Sequence, residues 1–176
     1  MKPAKLFIAL SIAASLATGV HAQTSTNAAA TISKDDAARL VGIAQANIAE
    51  IEAGKMALQK SSNPDVKAFA KMMIDDHTKG LEETKKVAAA KNVTLPSEPD
   101  MAHQKLAAEL KAVPADKFDL AYAKRAGVAD HLNVHASLKK DISMLKDADV
   151  KALATKLEPT VAHHVEMAKK LATAVK

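Results

Sequence analysis

Apolar side chains recur along most of this chain at alternating spacings of three and four, as in helices that bury one face. The first stripe is Leu40, Ala44, Asn47, Ile51, Gly54 and Leu58, and Ser33 with Asp36 predicts its N-terminal cap. Ser61-Ser62-Asn63-Pro64 predicts the end of that helix and the start of the next. Proline at the first helical position lacks an N–H that would have no partner there anyway. The second stripe, to about Lys91, is Val66, Met73, His77, Gly80, Thr84 and Val87, flanked by Phe69, Ala70, Leu81 and Ala88. Asn92 to Pro99 holds two prolines and predicts a connection, followed by a short helix over Asp100–Lys111 and a break at Pro114.

A third long helix is predicted from about Asp116, carrying Phe118, Ala121, Tyr122, Val128, Leu132, Ile142 and Leu145. A fourth starts near Asp147 with Val150, Leu153, Leu157, Val161, Val165, Ala168, Leu171 and Val175. Pro159 lies inside that pattern and predicts a kink or a split, because it removes one helical hydrogen bond. Period-two alternation is missing throughout, so no strand is expected. The expected fold class is therefore all-α: an antiparallel four-helix bundle over 33–176, with a short extra helix between helices two and three. The short first link makes helices one and two antiparallel neighbours, while the longer second link can cross the bundle end.

Composition narrows the chemistry. The 176 residues include no cysteine, no tryptophan, one tyrosine and three phenylalanines, too few aromatics for a base-stacking surface. Arg39 and Arg125 are the only arginines, and scattered lysines describe a solvated helix surface rather than a phosphate clamp. Nucleic acid is not an expected partner.

Residues 1–22 have the order of a secretory signal peptide. Lys2 and Lys5 precede the apolar run Leu6–Leu16, and Val20-His21-Ala22 places small residues where a signal peptidase cuts. Cleavage after Ala22 predicts an exported, periplasmic protein, with a polar, disordered leader over 23–32. Net charge then falls from +5 to +3. Later apolar runs fall short of the ~18 residues of a spanning helix, so no transmembrane segment is expected in the mature chain.

The candidate chemistry lies in polar residues on apolar stripes. His77 sits between Met73 and Leu81 on helix two, and His164 among Val161, Ala168 and Leu171 on helix four. His131 and His135 are one turn apart on helix three, and Glu50 flanks the seam of helix one beside Asn47 and Gly54. One carboxylate and several imidazoles from facing helices are how bundle-core metal sites are built. The alternative is that each histidine is a hydrogen-bonded core residue. His103 and His163 are expected at the surface, and so are Asp76 and Asp130, although each precedes a seam histidine.

Several motifs in order carry a family resemblance. They are Ala49-Glu50-Ile51-Glu52-Ala53-Gly54-Lys55-Met56-Ala57, Asn63-Pro64-Asp65-Val66-Lys67-Ala68-Phe69-Ala70 and Met73-Ile74-Asp75-Asp76-His77. Phe118-Asp119-Leu120-Ala121-Tyr122, Ala129-Asp130-His131, Leu157-Glu158-Pro159 and His164 complete the series. Over about residues 35–175 the chain resembles the exported bacterial family catalogued as domain of unknown function 4142, which implies a ferritin-like four-helix bundle. The resemblance singles out Glu50, His77, His131 and His164, and adds Asp119 and Tyr122 as braces of helix three. Dinuclear ferritin sites use Glu-x-x-His on two helices. Here Ile74, Val128 and Val161 stand three residues before the histidines, so a single histidine-rich ion, zinc, copper or iron, is the expected cofactor.

Three functions follow in order of expectation. The first is a periplasmic bundle that binds a metal ion or small ligand through Glu50, His77, His131 and His164, with His135 as a further candidate, in a setting of envelope stress protection. The second is an interaction or structural bundle with buried packing histidines. The third is a metal-dependent oxidase or peroxide-consuming enzyme. Nothing in the sequence resembles a nucleophile with its base, or a phosphate loop.

Overall fold

A computed structural model describes residues 32–175, so the expected signal peptide, and the leader up to Thr31, lie outside the described residues. Helix α1 spans Lys34–Lys60 and α2 spans Pro64–Ala90. The short α3, Met101–Ala112, precedes a continuous rod made of α4 (Ala115–Tyr122), a π-helical stretch (Ala123–Asp130) and α5 (His131–Met144). Helix α6 spans Ala148–Ala174, and the described residues contain no strand. No helix among them is long and apolar enough to cross a membrane.

Local chemistry sets the boundaries. The Ser33 hydroxyl accepts from the Asp36 N–H at 3.0 Å, the Asn63 side chain caps α2 behind Pro64, and Asp147 caps α6. Helix α2 ends on Asn92 at φ 55°, where the Val93 N–H reaches the Ala88 carbonyl at 2.9 Å.

Contacts at the two ends fix the topology. Asp36, at the start of α1, accepts from the Asp147 N–H at 2.9 Å, and Lys91, just past α2, pairs with Asp147 at 2.8 Å. At the opposite end, the Lys60 ammonium donates to the carbonyls of Lys111 (2.6 Å) and Val113 (3.0 Å), just ahead of α4. Helices α1 and α6 therefore run one way, and α2 and the α4–α5 rod the other. The link carrying α3 travels the length of the bundle, as in bundles with one long crossover.

The interior is two apolar clusters. One gathers Val66, Phe69, Met73, Leu110, Phe118, Tyr122 and Leu171; the other gathers Leu40, Ile43, Leu138, Leu145, Val150, Leu153 and Val161.

The predicted helices are present, with three differences inside them. Helix α6 passes through Pro159 without splitting; the proline is exposed, where water can serve the carbonyl it leaves free. In α1 the inward stripe drifts, so that Glu50 is buried while Ile51 is only partly covered. In the α4–α5 rod the π stretch widens the turn, and the inner face runs Phe118, Tyr122, Gly127, His131, Leu138 instead of reaching Leu132. Leu132 is 44% exposed. Leu132→Asp is therefore expected to change unfolding free energy by no more than about 0.5 kcal/mol in urea titration. A loss of several kcal/mol would show that the inner face follows the α-helical phase.

Candidate metal centre

Between the two apolar clusters lies a polar layer. His77 from α2, His131 from the end of the π stretch and His164 from α6 are all buried, and their rings meet in three close pairs. Ring centroids are 5.5 Å apart for His77 and His131, 5.2 Å for His77 and His164, and 5.4 Å for His131 and His164. One nitrogen from each ring can be chosen so that all three lie within 4.8 Å of one another.

The remaining nitrogens have partners that fix the hydrogens. Asn47 donates its amide to the Ile43 carbonyl at 2.8 Å, which leaves its Oδ1 to face His77 Nδ1 at 3.0 Å. His77 Nδ1 must therefore carry the hydrogen, and Nε2 the lone pair. His131 Nδ1 lies 3.0 Å from the Ala126 carbonyl, which can only accept, so its Nε2 is also bare. At the end of the π stretch the backbone N–H of His131 turns to the Val128 carbonyl, three residues back, instead of to Ala126, five back, which leaves the Ala126 oxygen for the ring. His164 Nε2 donates to Asp76 Oδ2 at 3.2 Å, and its Nδ1 is buried with no partner among the described residues.

Three lone pairs are thus turned away from their fixed partners, two of them only 3.4 Å apart at His77 Nε2 and His131 Nε2. That contact is no hydrogen bond, because both hydrogens sit on Nδ1. It matches the ~3.3 Å between two imidazole nitrogens bound tetrahedrally at ~2.0–2.1 Å.

Electrostatics keeps the rings neutral, the form that ligates. Burial pushes His77 well below its ordinary value, with His131 and His164 adding to the effect. Burial also lowers His131, against the opposing hydrogen bond to Ala126. It lowers His164 to about 4, although Asp76 pulls the other way. For Asp76 itself, burial would raise the carboxyl, but hydrogen bonds from His164 and Lys79 hold it below its usual range.

Glu50 is buried on the Nδ1 side of His131, its Oε1 at 3.5 Å from that nitrogen, outside the group formed by the three histidines. Burial and the neighbouring Asp130 raise its carboxyl well above the ordinary range. His135 points elsewhere and pairs with Glu158 at 2.6 Å. Tyr122 stacks on Phe118 at 5.9 Å in the apolar cluster below, and Asp119 buries one oxygen without a partner among the described residues.

A family model described as domain of unknown function (DUF4142) matches residues 21–171. The chain belongs to the DUF4142 family. No curated protein and no solved structure matches it.

In this DUF4142 chain several supporting residues escape a reading by periodicity. Asp76 supports His164 from another helix instead of lying free at the surface. His163 is exposed as expected, but His103 is wedged between Asp100 (2.8 Å) and Asp130 (3.3 Å), which with the Asp130 hydrogen bond foremost raise it to about 9. Gly80 has the subtlest part: a Cβ there would stand 2.6 Å from Asn47 Oδ1. Gly80→Ala is expected to fold, since only the end of one side chain must move. It should nevertheless loosen His77 and weaken metal affinity roughly 10–100-fold, as loss of a ligand's hydrogen-bond partner does. Competition with a chelating dye measures this, and an unchanged affinity would remove Asn47 from the account.

Proposed function

We propose that this protein is exported to the periplasm and there binds one transition-metal ion, zinc, copper or iron, in its core. His77, His131 and His164 are the ligands, and one coordination position is left for another group. The observation that supports this most is the convergence of three buried, neutral imidazoles, each able to bring one nitrogen within 4.8 Å of the others and each held by a hydrogen-bond partner, Asn47, Ala126 or Asp76. Without a cation, lone pairs at such range repel; with one, each becomes a bond. An all-imidazole donor set suits zinc, copper and iron over calcium or magnesium. In this reading Glu50 backs His131 and is not itself a ligand.

Metal analysis of untagged protein from the periplasmic fraction tests it, with about one ion per chain expected. The mass should begin at Gln23 if the signal peptide is cut after Ala22. Intact precursor as the main species, recovered from the cytoplasm, would overturn export. Metal content near zero, with no uptake on adding any of the three ions, would overturn the metal reading and leave the histidines as packing residues.

A further inference from the structure

A cavity of about 420 Å³ adjoins the histidine cluster through the buried His77 and His164, which form part of its wall. It lies where α1 and α5 face each other without packing side by side, and α3 borders it with Ala102 and Leu106. Gly42 lines it from α1, and a Cβ built there would meet nothing within 4 Å. The body of the cavity is apolar, walled by Ile43, Val134, Leu138, Leu157 and Val161.

Every acidic group in the wall already has a cationic or hydrogen-bonding partner. Asp76 serves His164, Asp100 and Asp130 hold His103, and Asp141 pairs with Arg39 at 3.1 Å. Against these four carboxylates stand Arg39, Lys79 and the one His103 shared by Asp100 and Asp130. Among the described residues the wall therefore offers an anion no free cation, and a bare ionic group of either sign would enter an apolar space at high desolvation cost. The polar side chains not engaged in this way, Asn133, Ser137 and Thr160, are exposed, on the solvent side of the cavity.

Resting on the metal reading above, we infer that this cavity takes a neutral, largely apolar small molecule that carries one nitrogen or sulfur donor. The donor fills the open position of the ion held by the histidines, and the apolar body lies between α1 and α5. The volume falls within the range of ordinary small-molecule pockets.

The full mature chain loaded with cobalt(II) provides the test, since the visible cobalt bands report a change in coordination. 4-Phenylimidazole should shift those bands and bind at least roughly tenfold tighter than imidazole, because its phenyl ring leaves water for the apolar wall. Gly42→Leu, which fills the cavity without touching a ligand, should keep cobalt stoichiometry and lose that advantage. Failure to take up cobalt overturns the metal reading and this inference with it. Cobalt uptake with no preference for 4-phenylimidazole, or with the preference intact in Gly42→Leu, overturns this inference alone.

Discussion

Replacing His131 with alanine is expected to take the protein from one bound ion per chain to none and to erase its stabilisation by metal. Two imidazoles remain after that change, and the variant lacks the Nε2 that lies 3.4 Å from His77 Nε2. A ligand present at a hundred times its Kd stabilises the folded state by about 2.7 kcal/mol. For a domain of this size that corresponds to a rise in Tm of roughly 5–10 °C, at ~2–4 °C per kcal/mol. His77→Ala and His164→Ala should behave likewise, while His135→Ala should keep the full rise, because His135 is paired with Glu158 outside the cluster. Melts with and without zinc, copper or iron, against a chelator control, measure all four. An equal rise in wild type and in His131→Ala would sink the assignment.

Stability of the metal-free protein should fall steeply as the pH drops from 6.5 towards 4. His164 is lowered from 6.5 to about 4 in the folded chain, so between those values the unfolded chain binds the proton and the folded chain does not. Stability rises with pH wherever the unfolded state holds more protons. The contribution is complete above the unfolded value and is lost as the pH falls to the folded one. A shift of this size corresponds to about 3 kcal/mol. His77 and His131 are lowered too, so both add in the same direction. Urea titration at pH 7, 6, 5 and 4 should show the loss, and His164→Gln should flatten part of it. Bound metal should defend the fold over the same window, because protons must displace it from neutral rings. Stability unchanged from pH 7 to 4 would mean that the rings are not held neutral by burial.

The extents of the helices were legible because capping and proline placement are local. Ser33 and Pro64 each act on the few residues that follow them, and the structure uses both as expected; Asp100 and Asp147, expected only at or near helix starts, turn out to be the capping residues. Of the two outcomes that Pro159 predicts, a kink or a split, the split does not occur: the proline faces solvent inside a continuous α6. The inward faces of α2 and α6 followed the spacing of Val66, Met73 and His77, and of Val161, His164 and Ala168.

Periodicity was enough to specify an all-α bundle and to single out His77, His131 and His164 as polar residues on apolar stripes, since the period is a property of one helix at a time. Tertiary structure decided the rest. The π stretch turns His131 inward and Leu132 outward, and eight residues of widened helix leave no mark in a hydrophobic period. Asp76 reaches His164 across 88 positions of chain, and Asn47 reaches His77 across 30, so neither pairing has a local signal. Glu50 and the histidines share one level of the bundle, but which side of His131 the carboxylate occupies depends on how α1 is rotated against its neighbours. Periodicity fixes which face turns inward; only packing fixes what that face meets.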